Sequence, residues 1–162
     1  MLAPQEIRTF FVTSITAGRR SVFQVIRNAD LFLKVLQENR AKNRFLLHEY
    51  VVMPDHFHLL ISPTSDVSLE KAMQYVKGGF SFRVKKEFGS NLEIWERSFN
   101  EVRIKDPHQY AQFREYIHMN PIRAGQAQAP GDYPYSSAHS GAEVDAAPMW
   151  TQGASAAPGL KP

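Results

Sequence analysis

The apolar positions change period several times along the chain, and each change predicts an element. Residues 7–15 are dense in β-branched and aromatic side chains (Ile7, Phe10, Phe11, Val12, Ile15), with Gly18 close behind, and read as a strand. Over residues 28–42, Leu31, Val35 and Leu36 recur at helical spacing between charged residues, with Asn28 or Asp30 as the cap. Residues 44–53 form a second strand, broken by the turn-forming pair Pro54-Asp55, and residues 56–62 a third, antiparallel to it. Ser68 opens the next helix, with Glu70 in its first turn. The apolar stripe of this helix is Leu69, Met73, Val76, Phe80, Val84 and Phe88; Lys77, Ser81 and Lys85 occupy the opposite face, and Gly89 ends it. Gly78 and Gly79 inside this helix cost about 1 kcal/mol each relative to alanine. They fit a kink, a close backbone approach or a simple packing accommodation.

A fourth strand is predicted near Val102, Arg103 and Ile104. Asp106-Pro107 starts a further helix through Phe113, Tyr116 and Ile117, expected to end at Asn120 because Pro121 disfavours helical geometry before it. The order β-α-β-β-α-β is the split βαβ pattern of an α+β, ferredoxin-like fold. It predicts an antiparallel sheet with helices on one face, plus a C-terminal helix carrying Tyr116. The fold hosts many functions and names none. Residues 1–138 form the domain on this reading. Residues 139–162, rich in Ala, Gly, Pro and Ser with only Met149 and Trp150 to anchor them, are expected to be a flexible tail.

Composition narrows the picture. A chain of 162 residues is long enough to bury one real core. It has no cysteine, so disulfides and thiolate metal sites are excluded and a nucleophile must be oxygen or nitrogen. No long apolar run or signal-peptide pattern is present, which makes cytoplasmic, membrane-free the expected location. The net charge of +3 is modest but uneven, with basic residues outnumbering acidic ones between Lys71 and Lys105. Such a region suits phosphate binding, and it also suits an ordinary solvated helix face.

The chemistry starts at His56-Phe57-His58. Residues i and i+2 of a strand share a face, so the two imidazoles project together while Phe57 points into the core. Two imidazoles on one rigid element suit metal ligation; two polar residues on a solvated strand face is the plain alternative. Tyr116 and Asn120, one helical turn apart, share a helix face. Tyrosine, with a free pKa of about 10, needs a nearby cation or base to act as a nucleophile. His118 fits a structural hydrogen bond, and Tyr110 is a rival nucleophile.

Two segments carry a family resemblance: Met53-Pro54-Asp55-His56-Phe57-His58-Leu59-Leu60 and Tyr116-Ile117-His118-Met119-Asn120-Pro121-Ile122-Arg123-Ala124-Gly125. Together they resemble the single-tyrosine HUH transposases of the IS200/IS605-like group, above all the REP-associated tyrosine transposase branch. The likeness extends through residues 94–99 and 133–137 and covers roughly residues 7–138. It implies cleavage and rejoining of single-stranded DNA through a 5′-phosphotyrosine intermediate, with a divalent metal, Mg²⁺ or Mn²⁺. Carried over by position, Tyr116 is the nucleophile, His56 and His58 are metal ligands, and Asn120 occupies the third-ligand position. IS200 relatives usually carry glutamine there, whereas the REP-associated branch tends to the Asn-Pro seen here.

Lys77, Arg83, Lys85 and Arg97 are candidate contacts to the DNA backbone, and Trp95 a candidate for stacking on an unpaired base. The expected partner is single-stranded or hairpin DNA, bound by a monomer or homodimer. Three functions fit the sequence. They are the strand transferase, a domesticated non-mobile relative that binds hairpin repeats, and a metal-dependent phosphoesterase that activates water.

Overall fold

The computed structural model describes residues 7–155, with side chains through residue 152. Four antiparallel strands, β1 (Phe10–Ile15), β2 (Phe45–Met53), β3 (His56–Pro63) and β4 (Asn100–Arg103), stand in the order β2-β3-β1-β4. That is the ferredoxin-like order, and the predicted β-α-β-β-α-β connectivity holds. Helices α1 (Ile26–Ala41), α2 (Leu69–Met73) and α3 (Gly79–Phe88) cover one face of the sheet, and α4 (Pro107–Arg123) crosses the other. A short α5 (Met149–Ser155) follows.

Strand alternation sorts the side chains between two cores. Phe57, Leu59 and Ile61 of β3 join Phe10 and Val12 of β1 in the larger core, against Phe32, Leu36 and Phe80 from the helices. Leu60 and Phe11 point the other way, into a smaller core with Val51, Met53 and Ile117. A register shift between Leu47 and Glu49 reverses the parity of β2. Leu47 and Tyr50 therefore share the larger core although three residues apart, and Val51 and Met53 face α4.

The structure corrects several expectations. Helix α1 begins at Ile26, after Val25, with no side-chain cap. Asn28 and Asp30 lie inside it, and the Asn28 amide donates instead to the Val22 carbonyl at 2.9 Å. Between α2 and α3 the chain makes a π-helical turn, Gln74–Gly78, in one continuous helical run. Gly79 meets only ordinary contact, 3.5 Å from its ideal Cβ to Val35 Cγ1, so no close backbone approach requires it. Helix α4 does not stop at Asn120 but runs through Pro121 to Arg123. Asn120 thus keeps helical geometry and stays on the face of Tyr116.

The segment from His139, for which a flexible tail is expected, passes beside β2 as far as Ala146, and α5 beyond it packs against α4. Val52 N–H donates to Tyr135 O, Ser137 N–H to Tyr50 O, and Asp145 N–H to Leu47 O. The Asp145 carboxylate accepts from Leu47 N–H and from both Nε and Nη2 of Arg40. Partial burial opposes the charge of Asp145, but Arg40 and Leu47 N–H outweigh it and hold its pKa below the ordinary value. Ala142 and Val144 also pack against the larger core and Ala147 and Trp150 against the smaller one, contacts that composition does not register. Residues 156–162 of the expected tail lie outside the described residues.

Candidate active site

The site lies where β1, β3 and α4 meet. Thr13 and Val51 are the cross-strand partners of His58, and Ile15 and Met53 those of His56. Both imidazoles project from the α4 side of the sheet, 4.8 Å apart between ring centroids. The Tyr116 ring stands 5.3 Å from that of His58, and Asn120 Oδ1 lies 3.2 Å from His56 Nε2. All four predicted residues therefore converge, and Tyr116 reaches the histidines of its own chain. They open onto a cleft of about 500 Å³ whose apolar wall is Phe11 and Phe113, with Tyr116 41% exposed.

Each imidazole is oriented from behind. His56 Nδ1 bonds Asp55 Oδ1 at 2.8 Å, and His58 Nδ1 bonds the Thr13 hydroxyl at 2.8 Å. In the tautomers that donate from Nδ1, both Nε2 atoms are bare lone pairs, the arrangement that holds histidines ready for a metal. His58 Nε2 is buried with no hydrogen-bond partner. Such an orphan is costly unless something outside the chain completes it. His56 Nε2 and Asn120 Oδ1, two acceptors facing each other, make the same demand. Burial first, and then the charge of His56, push the His58 pKa down to about 3, so this ring is neutral and ligand-ready at ordinary pH.

Among the described residues no cluster of three His, Cys, Asp or Glu side chains occurs. The donor set is instead two imidazoles and one amide, neutral overall. It fits a divalent metal and suits Mn²⁺ better than Mg²⁺, which prefers an all-oxygen shell.

Helix α4 is locked to the sheet by Glu49, whose Oε1 accepts from His118 Nε2 and from Ser137 Oγ, each at 2.6 Å. Arg114 Nε lies 3.5 Å from Oε2. Burial opposes the Glu49 charge, but the bonds from His118 and Ser137 prevail and lower its pKa. His118 thus makes a structural hydrogen bond of the kind expected of it, from a position between Tyr116 and Asn120. Tyr110, the rival nucleophile, is buried in the smaller core, and burial raises its pKa.

The proposed DNA contacts divide. Lys77 is buried, with Nζ donating to the Glu96 and Ser98 carbonyls, and burial lowers its pKa. Trp95 packs against Phe23, Phe32, Phe57 and Phe80, and its Nε1 donates to Lys77 O at 2.9 Å. These two residues brace the loop before β4 from the core side, so neither a phosphate contact nor base stacking fits them. Arg83, on the helical layer away from Tyr116, is engaged by Glu38 and Glu87. Lys85, on the same layer, and Arg97, in the loop beside the cleft, are exposed.

Sequence reasoning missed Thr13, Arg19, Asp55 and Asn100. Asp55, directly before His56, was legible as a carboxylate beside a histidine. Thr13 becomes visible only once the β1–β3 register is known.

The family described as "Transposase IS200 like" matches residues 9–120, which hold all four strands and the helix of Tyr116 as far as Asn120. The chain belongs to this IS200-like transposase family. A Haemophilus influenzae protein named "Putative REP-associated tyrosine transposase" is 35% identical over 98 residues, covering 54% of this chain and 56% of that protein. The chain thus matches little more than half the length of that relative. An Escherichia coli REP-associated tyrosine transposase is 26% identical over 137 residues, covering 81% of this chain and 76% of its own. A solved structure of a REP-associated tyrosine transposase bound to a REP hairpin superposes with a TM-score of 0.69. At 24% identity it covers 80% of this chain and 76% of its own, and it supports the fold. The IS200-like match ends at Asn120, the residue that faces His56.

Proposed function

We propose that this chain cleaves and rejoins single-stranded DNA through a 5′-phosphotyrosine on Tyr116, with hairpin DNA as its partner. The observation that carries the proposal is the convergence of Tyr116, His56, His58 and Asn120 on one cleft, within one chain. His56, His58 and Asn120 would hold a divalent metal, Mn²⁺ or Mg²⁺. When bound, it supplies charge screening and polarisation of the scissile phosphate.

The remaining work falls to the chain itself. The Tyr116 oxygen attacks the phosphorus, the bond from phosphorus to O3′ breaks, and the 3′-oxygen leaves as a hydroxyl. A later 3′-hydroxyl attacks the phosphotyrosine, restores a phosphodiester and frees Tyr116, so joining needs no external energy source. Phe11 stacks on Phe113 and meets the Tyr116 ring edge-on, so the two rings form an apolar wall that fixes the tyrosine beside the cleft. Arg123, with its guanidinium carbon 5.1 Å from the centre of the Tyr116 ring, brings a cation to the tyrosine that can meet phosphate charge.

None of the described helices is long and apolar enough to cross a membrane. The test is incubation of the protein with Mn²⁺ or Mg²⁺ and end-labelled hairpin DNA with unpaired flanks. A covalent protein–DNA band that needs metal and is absent in Tyr116→Phe is expected. Binding without any covalent band would favour a domesticated DNA-binding relative. Metal-dependent cleavage that survives Tyr116→Phe would favour a water-activating phosphoesterase.

A further inference from the structure

The cleft at Tyr116 continues into a second compartment of about 290 Å³, and both are lined by Thr13, Ile15, Arg19 and Asn100. The second compartment adds Glu96, Ser98 and Phe99. Arg19 stands at the junction, with its side chain 62% exposed. Its backbone has φ of +54°, left-handed space that a long side chain rarely occupies. The turn holding it there is fastened from both sides. Thr16 Oγ1 donates to the Arg20 and Asp55 carbonyls, Ala17 N–H donates to Ile94 O, and Gly18 N–H donates to Glu96 Oε2. Strain of this kind persists where the surroundings enforce it, often at ligand clamps.

The partner of Arg19 is replaceable. Nη1 lies 3.1 Å from Asp55 Oδ2 in a pair open to solvent, which contributes little to stability. Asp55 keeps its bond to His56 Nδ1 whether or not Arg19 stays. The guanidinium can therefore turn to an incoming anion without leaving the carboxylate unpartnered. The second compartment is unlike the junction. The Glu96 carboxylate disfavours a phosphate there, whereas the half-buried Phe99 ring and the exposed Asn100 amide offer an unpaired base a stacking surface and a polar edge.

We infer that Arg19 binds the DNA backbone phosphate next to the scissile one, and that the nucleotide beyond it lies unpaired in the compartment of Phe99 and Asn100. The inference rests on the strand-transfer reading and assigns that site its path for single-stranded substrate. Arg19 is then the residue that sets which phosphate faces Tyr116.

The test uses the full chain, a fluorescent hairpin with unpaired flanks, and Arg19→Asn, because asparagine tolerates left-handed backbone. Thermal stability of Arg19→Asn is expected to match or exceed that of the parent. Its DNA affinity is expected to fall roughly tenfold or more, as for a lost charge-assisted bond. The slope of log affinity against log salt is expected to shrink by about 0.7, as for one single-strand phosphate contact.

A scan that replaces one phosphate at a time by neutral methylphosphonate supplies the position. The parent should lose affinity at the phosphate adjacent to the cleavage site, and Arg19→Asn should be indifferent to that replacement. An unchanged slope, or equal sensitivity of both proteins at that phosphate, overturns the inference while covalent-adduct formation by the parent leaves the strand-transfer reading standing. A parent that neither binds nor attaches to the DNA overturns both.

Discussion

The two faces of one sheet do different jobs, and β3 shows the division residue by residue. On one face Phe57 sits in a cluster of aromatic rings with Phe32 and Trp95, wholly buried. On the other, His56 and His58 border an open cleft and leave a buried nitrogen without a partner. The first face contributes stability through apolar burial and leaves no chemistry exposed. The second has a smaller core, into which Glu49, His58 and Thr13 bring polar groups that must be satisfied by one another or by something bound. A strand with a dry reverse side holds His56 and His58 in place through the packing of Phe57 behind them.

That division predicts effects that separate by face. The largest stability change is expected from Phe57→Ala, which removes a fully buried ring: about 3–5 kcal/mol, read from urea unfolding. Tyr116→Phe, on the other face, should stay within about 0.5 kcal/mol of the parent in the same experiment. Equal losses would mean that the faces are not independent.

A smaller effect follows from pH. His58 has an ordinary pKa of 6.5 when unfolded and about 3 when folded. Between those values the unfolded chain holds a proton that the folded chain lacks. The contribution of His58 is therefore intact above about 6.5 and is progressively lost as pH falls toward 3. Buried His48, whose pKa burial also lowers, acts with the same sign. With metal chelated, the urea midpoint should drop between pH 7 and 4.5, and His58→Gln should lessen that drop. A midpoint flat over this range in the parent would contradict the burial of a neutral ring.

The smallest expected effect is that of Lys85→Ala. Lys85 is exposed on the helical layer away from Tyr116. Hairpin affinity should be unchanged in a titration, and a fall would extend the DNA surface onto that layer.

Most of the fold was legible because its signals are local. A run of β-branched and aromatic residues marked β1, Pro54-Asp55 the hairpin, and Asp106-Pro107 the start of α4. The misreadings have physical causes. The π turn at Gln74–Gly78 widens the helix by one residue per turn, so a 3.6-residue period misplaces Lys77, which turns inward to the Glu96 and Ser98 carbonyls. Pro121 is tolerated inside α4, where its missing N–H is the only backbone donor lost. Apart from Ala142, Val144, Ala147 and Trp150, the segment after His139 carries little hydrophobic periodicity, and the Asp145 carboxylate bonds it to Arg40 and Leu47.

At the site, spacing put His56 with His58 on one strand face and Tyr116 with Asn120 on one helix face, and only the family resemblance joined the two pairs. The groups that orient them were not, with Asp55 the exception, because Thr13 and Glu49 act across strands and between elements. Arg19 gave a sequence signal only through its place after Gly18.

On our proposal, the face with the unpartnered nitrogen carries a tyrosine nucleophile beside a metal site within one chain. The most direct test of this is peptide mapping of the covalent product formed with hairpin DNA and Mn²⁺. A 5′-nucleotide remnant is expected on the peptide containing Tyr116, and His56→Ala and His58→Ala should each abolish it while DNA binding stays measurable. A remnant on Tyr110 or any other residue, or one that forms undiminished without both histidines, would contradict the proposal.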